Sequence, residues 1–175
     1  MTAPTIREAR ETDTTAIQRV ARAAWHAAYD DLIGPEEVDE TVDSWYDPDR
    51  LVRDDVRDPD RPFLVAERTT SHDDGSAAVD ENSLVGFAEA AAGENPGLWH
   101  LYRLYVHPDV WGKGVGTALL ERILAAVRER DVDELRVSVL ADNEVGVGFY
   151  EARGFEQLAT TEDDRFDAPR FEYTR

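Results

Sequence analysis

Apolar residues recur along the chain with two periods, and these predict alternating strands and helices. The first helix is expected to follow an N-cap at Thr12 or Asp13 and to end before Gly34. Its buried stripe consists of Ile17, Val20, Ala21, Ala24 and Ala28. A looser helical region over residues 37–56, interrupted at Asp47 and Pro48, is expected to follow.

Strands are predicted where apolar residues alternate with polar ones or run continuously. They cover residues 6–9, 63–66, 84–89, 99–106, 135–139, 156–160 and 170–173. Residues 68–82 are polar and acidic, which is typical of a solvated loop or a hairpin extension. Alternation within residues 99–106 predicts two faces for that strand. One carries His100, Tyr102 and Leu104, and the other carries Leu101, Arg103 and Tyr105.

Two more helices complete the pattern. A glycine-rich turn opens a helix whose buried stripe is Val115, Leu119, Leu120, Ile123 and Val127. A shorter helix covers residues 143–152 and is expected to end on Gly154 in the left-handed conformation. No repeat or linker divides the 175 residues, so the pattern predicts one mixed α/β domain over residues 1–175.

The turn with Gly112, Gly114 and Gly116 is the sharpest local signal for a ligand. Glycine permits close backbone approach, and the first N–H groups of the following helix have no internal partner. Together with the helix dipole they predict a phosphate or pyrophosphate site, although glycines that serve tight packing alone would look the same. The spacing fits neither the Walker pattern nor the dinucleotide fingerprint, which leaves a dinucleotide-dependent oxidoreductase as the outlying alternative.

Two sequence blocks resemble the acetyl-CoA-binding motifs of the GNAT superfamily of N-acetyltransferases. The first is LYRLYVHPDVWGKGVGTALL over residues 101–120. The second is VSVLADN over residues 137–143, followed by GFYEARGF over residues 148–155. Residues 24–35 are similar to the first helix and loop of many small members. The resemblance covers nearly the whole chain and implies a mixed, mostly antiparallel, splayed sheet of about six or seven strands flanked by about four helices.

The resemblance also implies a cofactor site. Pantetheine would bond the exposed backbone of Leu104, Tyr105 and Val106. The pyrophosphate would lie on the N–H groups of Gly112, Lys113, Gly114, Val115, Gly116 and Thr117. Asn143 matches the asparagine that contacts the cofactor arm or the splayed backbone, and Tyr150 matches the tyrosine that approaches the CoA sulfur. Trp111 stands where the family often has Gln or Arg, but the backbone cradle does not depend on that side chain.

Acetyl transfer to an amine needs a base, an oxyanion donor and a stabilised thiolate. The N–H of Val106 is expected to stabilise the oxyanion. The Tyr150 hydroxyl is expected to act as the acid for the departing thiolate, unless this side chain only packs under the cofactor. His100 is the first candidate base, because it stands where many relatives carry Glu and an imidazole titrates near neutral pH. A surface histidine is the plainer interpretation. Glu89 is the second candidate, and a water chain is the third possibility.

Three aromatic residues, Trp25, Tyr29 and Trp45, are candidates for the wall of the acceptor pocket. Ordinary core packing would explain them equally well. His26, His72 and His107 show no metal-ligand spacing, so we expect no metal.

The charge of the chain gives information about the solvent in which the protein works rather than about its fold. Lys and Arg number 19 against 38 Asp and Glu, a net charge of −19, and the acid is spread over every segment. This composition resembles proteins adapted to molar intracellular salt, the alternative being an acidic mimic of nucleic acid. No basic patch points to nucleic-acid binding, and no apolar run or leader points to a membrane.

We therefore expect a cytoplasmic N-acetyltransferase that moves an acetyl group from acetyl-CoA to a primary amine of a small molecule, directly and in a ternary complex. A protein N-terminus or a lysine is the alternative acceptor. The alternative outside the enzyme class is a non-catalytic acyl-CoA sensor or interaction module on the same fold. The family resemblance also suggests a homodimer.

Overall fold

Seven strands form one sheet in the computed structural model, which describes residues 3–68 and 83–175. The strands are β1 (Thr5–Glu8), β2 (Phe63–Glu67), β3 (Leu84–Ala92), β4 (Leu98–Val106), β5 (Glu134–Leu140), β6 (Glu156–Asp163) and β7 (Ala168–Thr174). Their order is β1-β2-β3-β4-β5-β7-β6, and only the β4–β5 pair is parallel. All seven predicted strands are confirmed. Most of the predicted acidic loop, including His72, lies outside the described residues.

Five α-helices cover the sheet within the described ranges. They are α1 (Thr14–Ile33), α2 (Pro35–Trp45), α3 (Pro48–Leu51), α4 (Val115–Arg128) and α5 (Glu144–Glu151). The interruption near Pro48 is confirmed, because Asp47 caps α3 by accepting the Arg50 N–H at 2.9 Å. A π-helical turn over Val52–Val56 continues α3. Asp13 immediately precedes α1 but does not cap it with its side chain, which accepts the Arg10 N–H at 2.7 Å instead.

The apolar residues fall into two clusters, one on each face of the sheet. The α4 stripe packs on one face with residues of β4, β5 and β7 and with Tyr150 of α5. The stripes of α1 and α2 pack on the other face, together with Phe63, Val65 and Phe87. Strand β3 is buried from Leu84 to Ala91, since both faces are covered there. This arrangement explains its continuous apolar run.

A bulge in β4 overturns the predicted faces of that strand. Glu89 of β3 pairs with Arg103 and Ala90 pairs with Leu101, so Tyr102 has no partner in this ladder. The extra residue shifts the alternation by one position. Leu101 therefore packs on the α4 face rather than beside Arg103, whose guanidinium lies over the Tyr46 ring in the opposite layer.

Candidate active site

A cleft opens where β4 and β5 separate. The two strands pair over three positions only, from Leu98 with Glu134 to His100 with Arg136. Beyond that point β4 stays with β3 while β5 pairs with β7. The opening between them holds a cavity of about 430 Å³. Side chains and backbone from β4, β5, the glycine-rich turn, α1 and α5 line it.

The backbone of β4 turns polar groups into this cleft. His107 donates its N–H to the Val85 carbonyl at 2.8 Å, so the neighbouring pair, Gly86 with Val106, is a non-hydrogen-bonded one. By the same alternation the backbone N–H and carbonyl of Leu104 and Val106 point away from β3. Those of Tyr105 point towards β3 and bond to it. The Trp111 indole N–H confirms this orientation, since it donates to the Val106 carbonyl at 2.7 Å.

The glycine-rich turn presents a helix N-terminus to the cleft. Gly112 and Gly114 adopt φ of +73° and +82°, and nothing lies within 4 Å of the position a Cβ would take at either residue. The first hydrogen bond inside α4 runs from the Ala118 N–H to the Gly114 carbonyl. The N–H groups of the three preceding residues, Val115 to Thr117, therefore lack an acceptor within the helix.

Two other residues of the turn make contacts within the protein. Lys113 does not line the cavity, and its ammonium donates to the Asp109 carbonyl at 3.0 Å. Gly116 serves packing as well as any ligand, because a Cβ there would lie 3.0 Å from Cε2 of Phe149. The glycine thus lets α5 lie close to the start of α4.

Asn143 holds α5 beside α1 across the cleft. Its Oδ1 accepts the Gly146 N–H at 3.0 Å and caps α5, and its Nδ2 donates to the Tyr29 hydroxyl at 3.0 Å. Asn143 and Tyr29 both line the cavity. The amide expected to contact the cofactor arm is therefore already engaged within the protein.

Tyr150 of α5 lines the cleft. Its ring contacts Phe149 and Phe155 edge-on, and the side chain is buried. Burial raises the pKa of its phenol well above the usual value, with a smaller contribution from Tyr29. The hydroxyl therefore stays protonated and is available as a hydrogen-bond donor.

Neither candidate base lies in the cleft. His100 belongs to the part of β4 that still pairs with β5, and it does not line the cavity. Glu89 is fully buried in the opposite layer, where its two oxygens accept from Arg61 at 2.7 Å and from Arg103. Asp55 bonds to the same two arginines. This ion-pair network occupies Glu89 and links β3 to the segment after α3.

The three aromatic candidates separate in the structure. Tyr29 lines the cleft, whereas Trp25 and Trp45 do not. Their rings stand edge-on to each other, 5.7 Å apart, and both contact Phe166. The Trp25 indole donates to the Tyr46 hydroxyl at 3.2 Å. Trp25 thus belongs to the buried cluster on this face of the sheet, and the half-buried Trp45 packs against that cluster.

Arg153 enters the cleft although no spacing in the sequence marked it. Its side chain lines the cavity next to Thr117 of α4. The available signal was its position within the GFYEARGF block of an acidic chain. Elsewhere in the described ranges, no group of three or more His, Asp or Glu side chains is placed to hold a metal ion. No helix there combines the length and apolarity needed to span a membrane.

Comparison with known proteins decides the family. The model of the acetyltransferase (GNAT) family matches residues 25–155. The chain belongs to the GNAT family. Its mixed sheet with a cleft between β4 and β5 agrees with that assignment, and the prediction of an acyltransferase of this family is confirmed.

Relatives of this GNAT protein include two curated enzymes and a solved complex. The spermidine N(1)-acetyltransferase of Thermoplasma acidophilum is 26% identical over 167 residues, covering 95% of this chain and 97% of that enzyme. The mycothiol acetyltransferase of Beutenbergia cavernae is 32% identical over 117 residues, which is 67% of this chain but only 32% of its own length. The structure of the PaiA N-acetyltransferase of Thermoplasma acidophilum with coenzyme A superposes with a TM-score of 0.78 at 24% identity, covering 98% of each chain.

Proposed function

We propose that this protein transfers the acetyl group of acetyl-CoA to a primary amine of a small molecule. The observation that carries the proposal is the cleft, in which the splayed β4 backbone leads to the N-terminus of α4. The names of the spermidine and mycothiol acetyltransferases support a small acceptor. Transfer occurs directly in a ternary complex, and the sequence contains no cysteine that would carry the acetyl group.

The residues present fit the diphosphate and the pantetheine arm of the donor. The free N–H groups of Val115, Gly116 and Thr117 suit the diphosphate, because a helix N-terminus stabilises an anion. The open space in front of Gly112 and Gly114 lets phosphate oxygens approach the backbone. The inward-facing N–H and carbonyl of Leu104 suit the amide groups of the pantetheine arm.

The chemistry then needs two hydrogen-bond donors. As the amine adds to the thioester carbonyl, the developing oxyanion accepts from the Val106 N–H. As the C–S bond breaks, the sulfur accepts from Tyr150. A thiol has a pKa of about 8.5, below that of an ordinary phenol, and burial raises the Tyr150 pKa further. Tyr150 therefore stabilises the thiolate as a donor and retains its own proton.

The proton of the attacking amine leaves through water in this proposal. The lining of the cleft within residues 3–68 and 83–175 includes no carboxylate or histidine. The buried Glu89 keeps its ion pairs, and His100 stays in the β4–β5 ladder.

Calorimetric titration with acetyl-CoA in molar KCl, with NAD as the control, tests the donor. A thiol-release assay with spermidine, an amino sugar and a short peptide then tests the acceptor. We expect one acetyl-CoA site and CoA release with a small amine. If CoA were released with the peptide alone, the acceptor would be a protein rather than a small molecule. If acetyl-CoA bound but no amine caused CoA release, an acyl-CoA sensor would be favoured.

Tyr150→Phe tests the mechanism, because it removes the hydroxyl and keeps the ring. We expect kcat to fall about a hundredfold while acetyl-CoA binding is retained. Tyr173→Phe is the matched control, since the Tyr173 hydroxyl donates to Glu151 and this residue does not line the cleft. Equal kcat for the Tyr150 variant and the wild type would remove Tyr150 from the mechanism.

A further inference from the structure

Arg153 is the only residue with a formal charge that lines the cleft in the part of the chain the structure describes. Its positive charge is opposite in sign to the net charge of the chain, −19. Two other half-buried arginines in the described ranges, Arg61 and Arg103, are instead paired with the carboxylates of Glu89 and Asp55. The cation in the cleft therefore calls for a specific explanation.

Neutral groups hold the guanidinium of Arg153 in place. Its Nε and Nη2 donate to the Thr117 hydroxyl at 3.1 and 2.6 Å, and its Nη1 donates to the Phe149 carbonyl at 2.8 Å. The guanidinium carbon lies 3.8 Å from the centre of the Phe149 ring. No carboxylate of the described residues lies within 4.0 Å of it. These contacts fix the position of the charge without balancing it.

The position is electrostatically unfavourable unless an anion shares it. Thr117 is the third residue of α4, so Arg153 lies beside the positive pole of that helix. Like charges at a helix terminus destabilise the structure, whereas an anion between the two stabilises both. The free N–H groups of α4 and the guanidinium thus favour the same kind of ligand.

The unused donors of Arg153 have the shape of a phosphate contact. A guanidinium carries five N–H groups, and three are engaged by Thr117 and Phe149, which leaves one on each Nη. Two such N–H groups side by side match two oxygens of a phosphate. We propose that Arg153 binds a phosphate group of acetyl-CoA and so completes the α4 cradle from the side of α5. This inference rests on the proposed function.

The test compares the affinity of Arg153→Ala and wild-type protein for CoA and for 3′-dephospho-CoA. We expect the variant to bind CoA about tenfold to a hundredfold more weakly, as for loss of a charged hydrogen bond. Arg122→Ala, which removes the same charge from the exposed side of α4, is the control and keeps wild-type affinity. Arg153→Lys keeps the charge but loses the paired N–H donors. Its affinity for CoA is expected to lie between those of Arg153→Ala and the wild type.

The two ligands identify the phosphate. An equal loss for both assigns Arg153 to the diphosphate, and a loss for CoA alone assigns it to the 3′-phosphate. The affinity of the Arg153→Ala variant is also expected to depend less on KCl concentration than that of the wild type. If a folded Arg153→Ala variant binds both ligands with wild-type affinity, the role given to Arg153 is wrong and the proposed function is unaffected. Failure of the wild type to bind CoA overturns the proposed function itself.

Discussion

Replacement of Asn143 by alanine breaks two hydrogen bonds that hold α5 beside α1. One is the cap, in which Oδ1 accepts the Gly146 N–H, and the other runs from Nδ2 to the Tyr29 hydroxyl. Loss of a side-chain cap costs about 1 kcal/mol. A neutral hydrogen bond inside the protein contributes about 1 kcal/mol. We therefore expect Asn143→Ala to lower the free energy of unfolding by about 2 kcal/mol.

Two further variants separate the two bonds. Asn143→Ser keeps an oxygen that can cap α5 but is too short to reach Tyr29, so it loses about half as much stability. Tyr29→Phe removes the other partner and costs about 1 kcal/mol in the wild-type background. In the Asn143→Ser background the same change costs about 1 kcal/mol less, because the bond between Tyr29 and Asn143 is already absent. The resulting coupling energy is about 1 kcal/mol.

Urea unfolding of the ligand-free protein, followed by circular dichroism, measures these free energies. Strictly additive costs of Asn143→Ser and Tyr29→Phe in the double variant would refute a stabilising bond between the two side chains. Equal costs for the serine and alanine variants would refute the cap. The assay is independent of acetyl-CoA, so its result concerns the scaffold of the cleft alone.

Two other predictions concern packing and pH. Gly146→Ala places a Cβ 2.8 Å from Val139 and should cost about 1–3 kcal/mol in urea unfolding. Gly148→Ala, with nothing within 4 Å, should instead stabilise α5, and equal effects would contradict the packing argument. Hydrogen bonds to Asp30 and then Asp39 raise the pKa of His26. The stabilisation of the folded state by His26 is thus fully present below its pKa in the unfolded chain, about 6.5, and is lost as pH rises through its pKa in the folded protein. The stability difference between wild type and His26→Gln should shrink from acidic to alkaline pH, and a constant difference would refute this.

The bulge at Tyr102 shows where sequence periodicity stops being informative. Alternation assigns faces correctly only while each residue pairs with one partner, and an inserted residue reverses every face beyond it. The registers on the two sides of the bulge place Leu101 and Arg103 in opposite layers. The two-residue period that predicted the strand gave no sign of the reversal.

The candidate base residues illustrate a second difficulty. His100 and Glu89 have suitable chemistry, but a base must also reach the substrate. Whether it does depends on where β4 separates from β5 and on which arginines surround Glu89. Arg61 and Arg103 lie 28 and 14 positions from Glu89 along the chain, so no local pattern indicates this network.

The sequence by itself determined the order of the strands and helices, the glycine-rich turn and the two blocks that mark the family. These features are local: the periods of strand and helix, and the positive φ at Gly112 and Gly114, arise within a few residues of chain. Only the tertiary structure decided which side chains meet in the cleft. Thr117 and Arg153 are 36 positions apart, and Tyr29 and Asn143 are 114 apart. Such contacts depend on how the helices pack across the splayed sheet, which the burial of all the apolar stripes determines together.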